Sequence, residues 1–272
     1  MIPIYVINLQ RSVERRNFIS KQLNKSEVEY KFIDAVDAMN TPNIEEHALK
    51  KATLNLNNLE MPLPRGHIAC VLSHIKAYEE IINQNHEFAL IIEDDVLVSN
   101  GIKTILNSVQ PYLEDDKVVF LYTRFFNSVE FVTITSLVDS YSLCESASEK
   151  SLLRGTQAYI ISKKLAQKLA QNLYPVKGVI DDWELYKDKG YISNFRIIFP
   201  FPVLHGEFLS DLREEKFGDL KSLKDKFKHI VYKYKLPPFY NFFLNVRRRR
   251  VEVDQKKNLR INGERVKKTF KL

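Results

Sequence analysis

The feature that most constrains the fold is a continuous apolar run that leads directly into three acidic residues. Residues 88–92 are apolar, and Glu93, Asp94 and Asp95 follow them. An uninterrupted run of this length is typical of a strand that is buried on both faces, as in a sheet covered by helices. Three carboxylates at its end would repel one another and lose hydration unless a counter-charge bound there. The segment therefore predicts a buried strand that ends at a ligand site; the alternative is a strand that ends in a solvated acidic turn.

The acidic run also indicates which ligand would bind. Side chains alternate along a strand, so Glu93 and Asp95 are predicted to point to the same side. Hard oxygen ligands suit Mg²⁺ or Mn²⁺, which proteins often hold with one or two carboxylates together with substrate phosphates. We therefore expect a divalent metal site at Glu93 and Asp95.

Strand-like and helix-like patterns alternate along the first two thirds of the chain. Strands are predicted at 4–9, 30–36, 118–122, 156–161 and 195–199, and from 88 into the acidic run at 93–95; helices are predicted from about 12 onward and at 64–83, 102–109, 162–173 and 183–189, with Ser162 as the cap of the fourth. Residues 38–64 are predicted to be an irregular surface loop, and a hairpin is expected within 123–150. This alternation predicts an α/β fold with a mostly parallel sheet and helices on both faces. Ligands in such folds bind beyond the carboxyl ends of the strands, where the acidic run lies.

The charge distribution separates a mildly acidic body from a basic C-terminal segment. Residues 213–272 contain 19 of the 41 Lys and Arg residues but only 7 of the 34 Asp and Glu residues. We therefore predict a catalytic domain at residues 1–212 and a basic, amphipathic extension at 213–272. Basic segments with interleaved aromatic residues are typical of interfacial membrane binding. The alternative is a helix that packs on the body with a solvated basic face.

Several classes of protein are excluded or disfavoured. No glycine-rich phosphate loop is present, which argues against dinucleotide-binding dehydrogenases and P-loop enzymes. The two cysteines, Cys70 and Cys144, are far apart and fit a reduced cytosolic protein better than a disulfide scaffold. The N-terminus lacks the pattern of a signal peptide, and no apolar stretch approaches eighteen residues. Basic charge is present without a nucleic-acid-binding motif, so no nucleic acid is expected as a partner.

Three arginines, Arg11, Arg15 and Arg16, cluster at the start of the first predicted helix. Cations at a helix N-terminus oppose the helix dipole, and a bound phosphate would resolve the conflict. The alternative is three solvated arginines. Farther along, Ser73 belongs to a line of small residues on the 64–83 helix, which would let a ligand come close. His74 stands beside it, and a lone histidine is usually a structural residue.

Five segments together resemble glycosyltransferase family 25: residues 6–16, 66–74, 91–96, 155–162 and 182–183. Each is weak alone, but five in the right order are specific, and the resemblance covers roughly residues 1–205. The family includes bacterial lipooligosaccharide galactosyltransferases and animal collagen galactosyltransferases, and this chain looks like the bacterial branch. The resemblance implies a GT-A-like fold and a UDP-sugar donor, most often UDP-galactose.

The resemblance also implies roles for individual residues. Asp95 would bind Mn²⁺ or Mg²⁺, Glu93 or Asp94 would face the ribose or the water molecules of the metal, and His205 would complete the metal site, although His67 and His74 compete for that role. The residues expected around the donor are Asn8, Leu9, Arg11, Arg15, Arg16, Ser73, His74, Glu93 and Asp94.

Catalysis in this family also implies a base for the acceptor hydroxyl. Asp182 resembles that base in inverting GT-A enzymes, and Asp181 is the second candidate. Either aspartate could instead be only an N-cap, which is common at helix starts.

The expected function is inverting transfer of galactose, or alternatively glucose, from a UDP-sugar to a lipooligosaccharide acceptor. The expected location is the cytoplasmic side of the inner membrane of a Gram-negative bacterium, with the basic extension on anionic lipid. One alternative is a basic membrane- or nucleic-acid-binding protein with a degenerate catalytic domain. Another is a metal-dependent phosphohydrolase, which would share the carboxylates but need no acceptor.

Overall fold

The structure of the protein is a computed structural model that describes residues 1–50, 53–56, 59–206, 230–231 and 236–270. Its strands are β1 (Ile4–Asn8), β2 (Tyr30–Asp34), β3 (Thr53–Leu56), β4 (Leu59–Pro62), β5 (Phe88–Glu93), β6 (Val96–Val98), β7 (Lys117–Phe125), β8 (Val129–Ser136), β9 (Ser142–Ser146), β10 (Leu153–Ser162), β11 (Asn194–Phe199), β12 (Val203–His205), β13 (Leu259–Ile261) and β14 (Glu264–Arg265). Its helices are α1 (Val13–Lys25), α2 (Arg65–Asn83), α3 (Ile102–Val109), α4 (Lys163–Leu173), α5 (Trp183–Asp188) and α6 (Phe239–Asn258).

Within the described ranges, a sheet of ten strands runs through the molecule in the order β14-β13-β8-β9-β11-β7-β10-β5-β1-β2. Strands β2, β5, β7, β11, β8 and β13 run in the direction of β1, whereas β10, β9 and β14 run against it. The predicted α/β, GT-A-like class, with a mostly parallel sheet, is confirmed in its layers and strand directions. What the sequence pattern did not indicate is the antiparallel β10, which lies directly beside β5.

Helices cover both faces of the sheet, as predicted. Tyr5 and Ile7 of β1 pack in the core cluster that contains α2 and α4, whereas Ile4 and Val6 pack in the cluster that contains α1 and α3. Strand β5 divides its side chains in the same way, and residues 89–92 are almost wholly inaccessible to solvent. Burial on both faces explains why the run 88–92 is apolar without alternation.

The connections follow turn and cap chemistry that the sequence partly indicates. The hydroxyl of Ser162 accepts a hydrogen bond from the backbone N–H of Leu165 at 3.0 Å, so the predicted cap of α4 is confirmed. Residues 38–64, predicted to be an irregular loop, contain a 3-10 turn and the antiparallel pair β3–β4. The hairpin expected within 123–150 is present as β8 and β9.

The C-terminal segment joins the same sheet. Strand β13 pairs in parallel with β8, and two side chains near the end of α6 fix this helix to β7: Gln255 Nε2 donates to the carbonyl of Thr123 at 2.6 Å, and Asn258 Nδ2 donates to that of Phe125 at 2.9 Å. The domain division after residue 212 stays a prediction. Residues 213–229, 232–235 and 271–272 of the predicted basic, amphipathic extension lie outside the described residues. In the described part of the chain, no helix is long and apolar enough to cross a membrane.

Candidate active site

A cleft of about 140 Å³ opens at the carboxyl ends of β1 and β5. Residues 93–95 form its acidic wall, residues 35–39 form the opposite side after β2, and the N-terminal half of α2 forms the floor. The small residues Gly66, Cys70 and Ser73 of α2 line the cleft, and the close approach of a ligand to this helix face stays a prediction. The cleft lies where ligands bind in α/β sheets.

The central acid, Asp94, is compensated by two protein groups. Asn8, at the end of β1, donates its side-chain N–H to Asp94 Oδ2 at 2.7 Å, and Arg15 of α1 approaches Asp94 Oδ1 at 3.4 Å. Asp94 is buried, and the Arg15 side chain is only 14% exposed. The parallel pairing of β1 with β5 causes this arrangement, because it brings the ends of the two strands together. A buried carboxylate with charged and amide donors is held in one orientation.

The third acid, Asp95, lies in a different environment. Its Oδ1 atom is buried without a hydrogen-bond partner among the described residues. Strand β12 pairs antiparallel with β6 and sets His205 opposite Val96, so that His205 Nε2 lies 3.7 Å from Asp95 Oδ2. Gly206 N–H donates to the backbone carbonyl of Asp95, and a Cβ atom at position 206 would clash with that carbonyl oxygen. Glycine at 206 therefore allows the chain to bring His205 against Asp95.

The tautomer of His205 follows from its second contact. Nδ1 lies 3.1 Å from the carbonyl oxygen of Gly206, which can only accept, so Nδ1 carries the proton. In the neutral ring, Nε2 then presents a lone pair toward Asp95. A lone pair and a carboxylate attract each other only through a proton or a cation between them. Metal-binding histidines commonly have this arrangement, with the second ring nitrogen bonded to a carbonyl.

Glu93 contacts other groups. Its Oε1 atom accepts a hydrogen bond from the Thr156 hydroxyl at 2.5 Å and lies 3.9 Å from His74 Nε2. Burial raises the pKa of Glu93 to about 8, and the charge of Asp95 adds to this effect. Strand β5 ends at Glu93, so the alternation argument does not reach Asp95, although both residues line the cleft.

A divalent cation fits the Asp95 side of the cleft. Hard carboxylate oxygen and imidazole nitrogen suit Mn²⁺, and the orphaned Asp95 Oδ1 is the kind of atom that a cation would satisfy. In the described residues, no group of three His, Cys, Asp or Glu side chains is spaced to hold a metal. Asp95 and His205 are brought together, whereas Glu93 is directed at Thr156, and the three-residue ligand set stays a prediction.

The other residues expected around the donor have different positions. Leu9 and Arg11 line the cleft, and Arg11 bonds to Asp37 at 2.8 Å on the side opposite the acids. Arg16 instead stacks on Phe32, with its guanidinium carbon 3.9 Å from the ring centroid. The Ser73 hydroxyl faces the cleft wall but is occupied, since it donates to the Ala69 carbonyl and accepts from the Val36 N–H.

The predicted base candidates lie at the start of α5. Asp182 is the N-cap residue, but its side chain makes no capping bond and instead pairs with Arg154 at 2.6 Å. Asp181 accepts a hydrogen bond from the Gly155 N–H at 3.1 Å. Burial raises the pKa of Asp181. Burial is also the main cause of the raised pKa of Glu93, and the charge of Asp181 adds to it, so the two acids interact electrostatically. The N-cap alternative for Asp182 is therefore not supported by its contacts.

Thr156, Tyr159 and Asp37 were not identified from the sequence. Thr156 and Tyr159 reach the site because β10 runs antiparallel beside β5, with Tyr159 opposite Ile91. No local pattern in a single sequence signals that pairing. Asp37 lies three residues after the end of β2 and directly after the predicted strand 30–36, and this position at the carboxyl end of a strand was a usable signal.

Comparison with known proteins agrees with this geometry. The sequence profile of "Glycosyltransferase family 25 (LPS biosynthesis protein)" matches residues 1–184. The chain is 35% identical over 111 residues to procollagen galactosyltransferase 2 of Mus musculus, covering 37% of this chain and 16% of that protein. It is 24% identical over 173 residues to the lipooligosaccharide biosynthesis protein lic2B of Haemophilus influenzae, covering 62% of each.

The similarity to solved structures is weak. A glycosyltransferase involved in glycosylation of the major capsid of PBCV-1 aligns with 73% of this chain and 92% of its own, at 9% identity and a TM-score of 0.28. The chain spans only about a sixth of the length of the procollagen enzyme. The profile match, by contrast, extends from β1 through the acidic cleft to the Asp181–Asp182 pair, and this chain belongs to glycosyltransferase family 25.

Proposed function

We propose that this chain transfers a hexose, with galactose as the first candidate, from a UDP-sugar to a lipooligosaccharide acceptor with inversion at the anomeric carbon. The observation that carries the proposal is the pairing of opposite charges in one cleft. Glu93, Asp94 and Asp95 line the same space as Arg11 and Arg15, at the carboxyl ends of the strands. A cleft with both signs of charge suits a diphosphate that binds together with a cation.

Different side chains would bind the phosphates of the donor and the cation. Arg15 is partly buried beside Asp94, where its charge is less screened by water and can act on a phosphate. Asp95 and His205 would hold Mn²⁺ or Mg²⁺, and the cation, when bound, would offset the charge of the leaving diphosphate. Two protein ligands leave the remaining positions to phosphate oxygens and water, as is usual for these ions.

The acceptor hydroxyl needs a base. In a single displacement, the acceptor oxygen loses its proton to a carboxylate and attacks the anomeric carbon while the bond to UDP breaks. Asp182 remains the first candidate and Asp181 the second; burial raises the pKa of Asp181, which makes its carboxylate a stronger base. Asp182→Asn is expected to lower turnover at least about 100-fold while donor binding stays nearly intact. A larger loss in Asp181→Asn would instead assign the base to Asp181.

We also propose that the C-terminal segment holds the enzyme on an anionic membrane surface. Phe239, Phe242, Val246 and Val253 of α6 are between 39% and 62% exposed. Their spacing of three, four and seven residues puts them on one face of the helix. Residues 213–272 carry a net charge of +12, from 19 basic and 7 acidic residues. Each Lys or Arg near an anionic leaflet contributes about 1 kcal/mol.

Vesicle sedimentation tests the membrane proposal. The double variant Phe239→Ser/Phe242→Ser is expected to bind phosphatidylglycerol vesicles at least about tenfold more weakly than the wild type, because each phenylalanine loses apolar burial in the bilayer. Val132→Ser/Ile134→Ser is the matched control, since these residues of β8 are 43% and 49% exposed. Equal binding by the wild type and the α6 variant would refute a membrane role for this face.

The transfer reaction is tested with a panel of UDP-sugars, Mn²⁺ and truncated lipooligosaccharide. The proposal predicts UDP release that depends on the acceptor and is fastest with UDP-galactose. Faster release with UDP-glucose would reassign the donor. Release of inorganic phosphate without an acceptor would favour the phosphohydrolase alternative, and membrane binding without any turnover would favour a degenerate catalytic domain.

A further inference from the structure

A series of buried, hydrogen-bonded side chains leads from the core to Glu93 in the cleft. Tyr78 Oη lies 2.9 Å from Tyr159 Oη, and Tyr159 Oη lies 2.8 Å from His74 Nδ1. His74 Nε2 then lies 3.9 Å from Oε1 of Glu93. Tyr78, Tyr159 and His74 are all at least 99% buried. His74 Nε2 has no hydrogen-bond partner among the described residues, and His74 lines the cleft.

The direction of the hydrogen bonds among these three side chains follows from the number of protons that they carry. Burial raises the pKa of both tyrosines and lowers that of His74 to about 3, so all three side chains are neutral near pH 7. Tyr159 is the single hydrogen-bond partner that the described residues give the Tyr78 hydroxyl. The Tyr78 hydrogen therefore has an acceptor only if Tyr78 donates to Tyr159. Tyr159 then donates to His74 Nδ1, and the ring proton must lie on Nε2.

We propose that His74 is a positioning residue whose Nε2–H orients the carboxyl group of Glu93 for the donor, with Tyr159 fixing the histidine tautomer. The 3.9 Å gap is closed by a small rotation of Glu93 or by one bridging water molecule. The Thr156 hydroxyl and the His74 N–H then both act on Oε1, which leaves Oε2 to the ligand. His205, beside Asp95, has the opposite tautomer with Nδ1 protonated, so the proposal gives the two histidines different tasks.

The tautomer can be measured without any activity. In a long-range ¹H–¹⁵N spectrum of the full chain, the two ring nitrogens of a neutral histidine give distinct shifts, and the His74 signal is identified by its loss in His74→Gln. The proposal predicts the Nε2–H tautomer for His74 between pH 6 and 8. It also predicts that Tyr159→Phe mixes the tautomers, whereas Tyr78→Phe does not, because Tyr159 still donates to Nδ1. A predominant Nδ1–H tautomer in the wild type would overturn the proposal.

Kinetics tests the positioning role, and this part rests on the proposed transferase function. His74→Gln keeps an amide N–H near the position of Nε2, whereas His74→Asn keeps an amide near Nδ1 that cannot reach Glu93. His74→Asn and Tyr159→Phe are expected to lower kcat about tenfold, as for a lost hydrogen bond of about 1.5 kcal/mol, with KM for the donor within about twofold. His74→Gln is expected to retain most of the wild-type kcat.

Equal losses in His74→Asn and His74→Gln would show that His74 has only a structural role. Tyr159→Phe keeps its aromatic contact with Trp183, whose ring centroid is 5.1 Å away, so that variant is expected to fold. If the wild type transferred no sugar at all, the proposed function would fail, but the tautomer measurement would still decide the role of Tyr159.

Discussion

Asp94 and Asp95 are adjacent acids in opposite environments, so replacing each by its amide is expected to change stability in opposite directions. Asp94 is contacted by Asn8 and by the guanidinium of Arg15. Asp95 has a buried Oδ1 without a partner among the described residues and faces the lone pair of His205. Without a cation, Asp95→Asn removes an uncompensated buried charge. Asp94→Asn removes a compensated one and leaves the Arg15 contact without its carboxylate.

The size of both effects can be worked from these contacts. A hydrogen bond to a charged group contributes about 1.5–3 kcal/mol, and the 3.4 Å approach of Arg15 favours the lower end. Burial is the main cause of the raised pKa of Glu93 and the charge of Asp95 adds to it; since one pKa unit corresponds to about 1.4 kcal/mol, the gain in Asp95→Asn is expected to be about 1 kcal/mol. At about 2–4 °C for each kcal/mol, Asp94→Asn lowers Tm by about 3–6 °C and Asp95→Asn raises it by about 2–4 °C.

Calorimetry at pH 8 with a chelator, and again with excess Mn²⁺, measures these changes. At a hundredfold excess over Kd, a bound cation adds about 2.7 kcal/mol to the stability of the wild type. Asp95→Asn is expected to lose this gain, so that the order of stability of the wild type and Asp95→Asn reverses when the cation is added. A buried, uncompensated charge at Asp95 is refuted if Asp95→Asn is less stable than the wild type in chelator. A cation site at Asp95 is refuted if Asp95→Asn keeps the full increase in stability on addition of Mn²⁺.

The environments of Glu93, Gly206 and Gln255 give three further predictions. Burial raises the pKa of Glu93 in the folded protein to about 8, above the pKa of a glutamate in the unfolded chain. The stabilisation that this group contributes is therefore fully present at pH values below the unfolded-state pKa and is lost as pH rises through about 8. Denaturant titrations in chelator are expected to show this fall in the free energy of unfolding, and a flat profile would contradict it. Gly206→Ala introduces a clash with the Asp95 carbonyl and is expected to weaken Mn²⁺ binding at least about tenfold by calorimetric titration, while unchanged affinity would remove His205 from the site. Gln255→Ala leaves a buried carbonyl of β7 without its donor and is expected to lower Tm by about 2–6 °C, whereas Lys257→Ala on the exposed side of α6 is expected to leave Tm unchanged.

The parts of the fold that the sequence predicted are those with strong local signals. The apolar run before Glu93 identified β5 and its burial on both faces, and Ser162 identified the start of α4. The acidic run and Arg15, which were both predicted to lie around the donor, come together because β1 and β5 pair in parallel and the helix after β1 begins at the same edge; their role toward a donor stays a prediction. These arguments need only the alternation of strands and helices and the position of strand ends.

The rest depends on pairings between distant segments. Thr156 reaches Glu93 because β10 is antiparallel to β5, and His205 reaches Asp95 because β12 pairs with β6 in one register. Neither register has a local signature. Arg15 and Arg16 are neighbours at the start of α1, but Arg15 faces the acids and Arg16 stacks on Phe32. Only the tertiary packing distinguishes the two arginines.

The measurement that tests the central claim most directly is the affinity of the wild type for UDP, with and without Mn²⁺, by calorimetric titration. If Asp95 and His205 hold a cation against the diphosphate, Mn²⁺ is expected to tighten UDP binding at least about tenfold, and Asp95→Asn is expected to abolish that gain. Equal affinity for UDP with and without Mn²⁺ in the wild type would contradict the account.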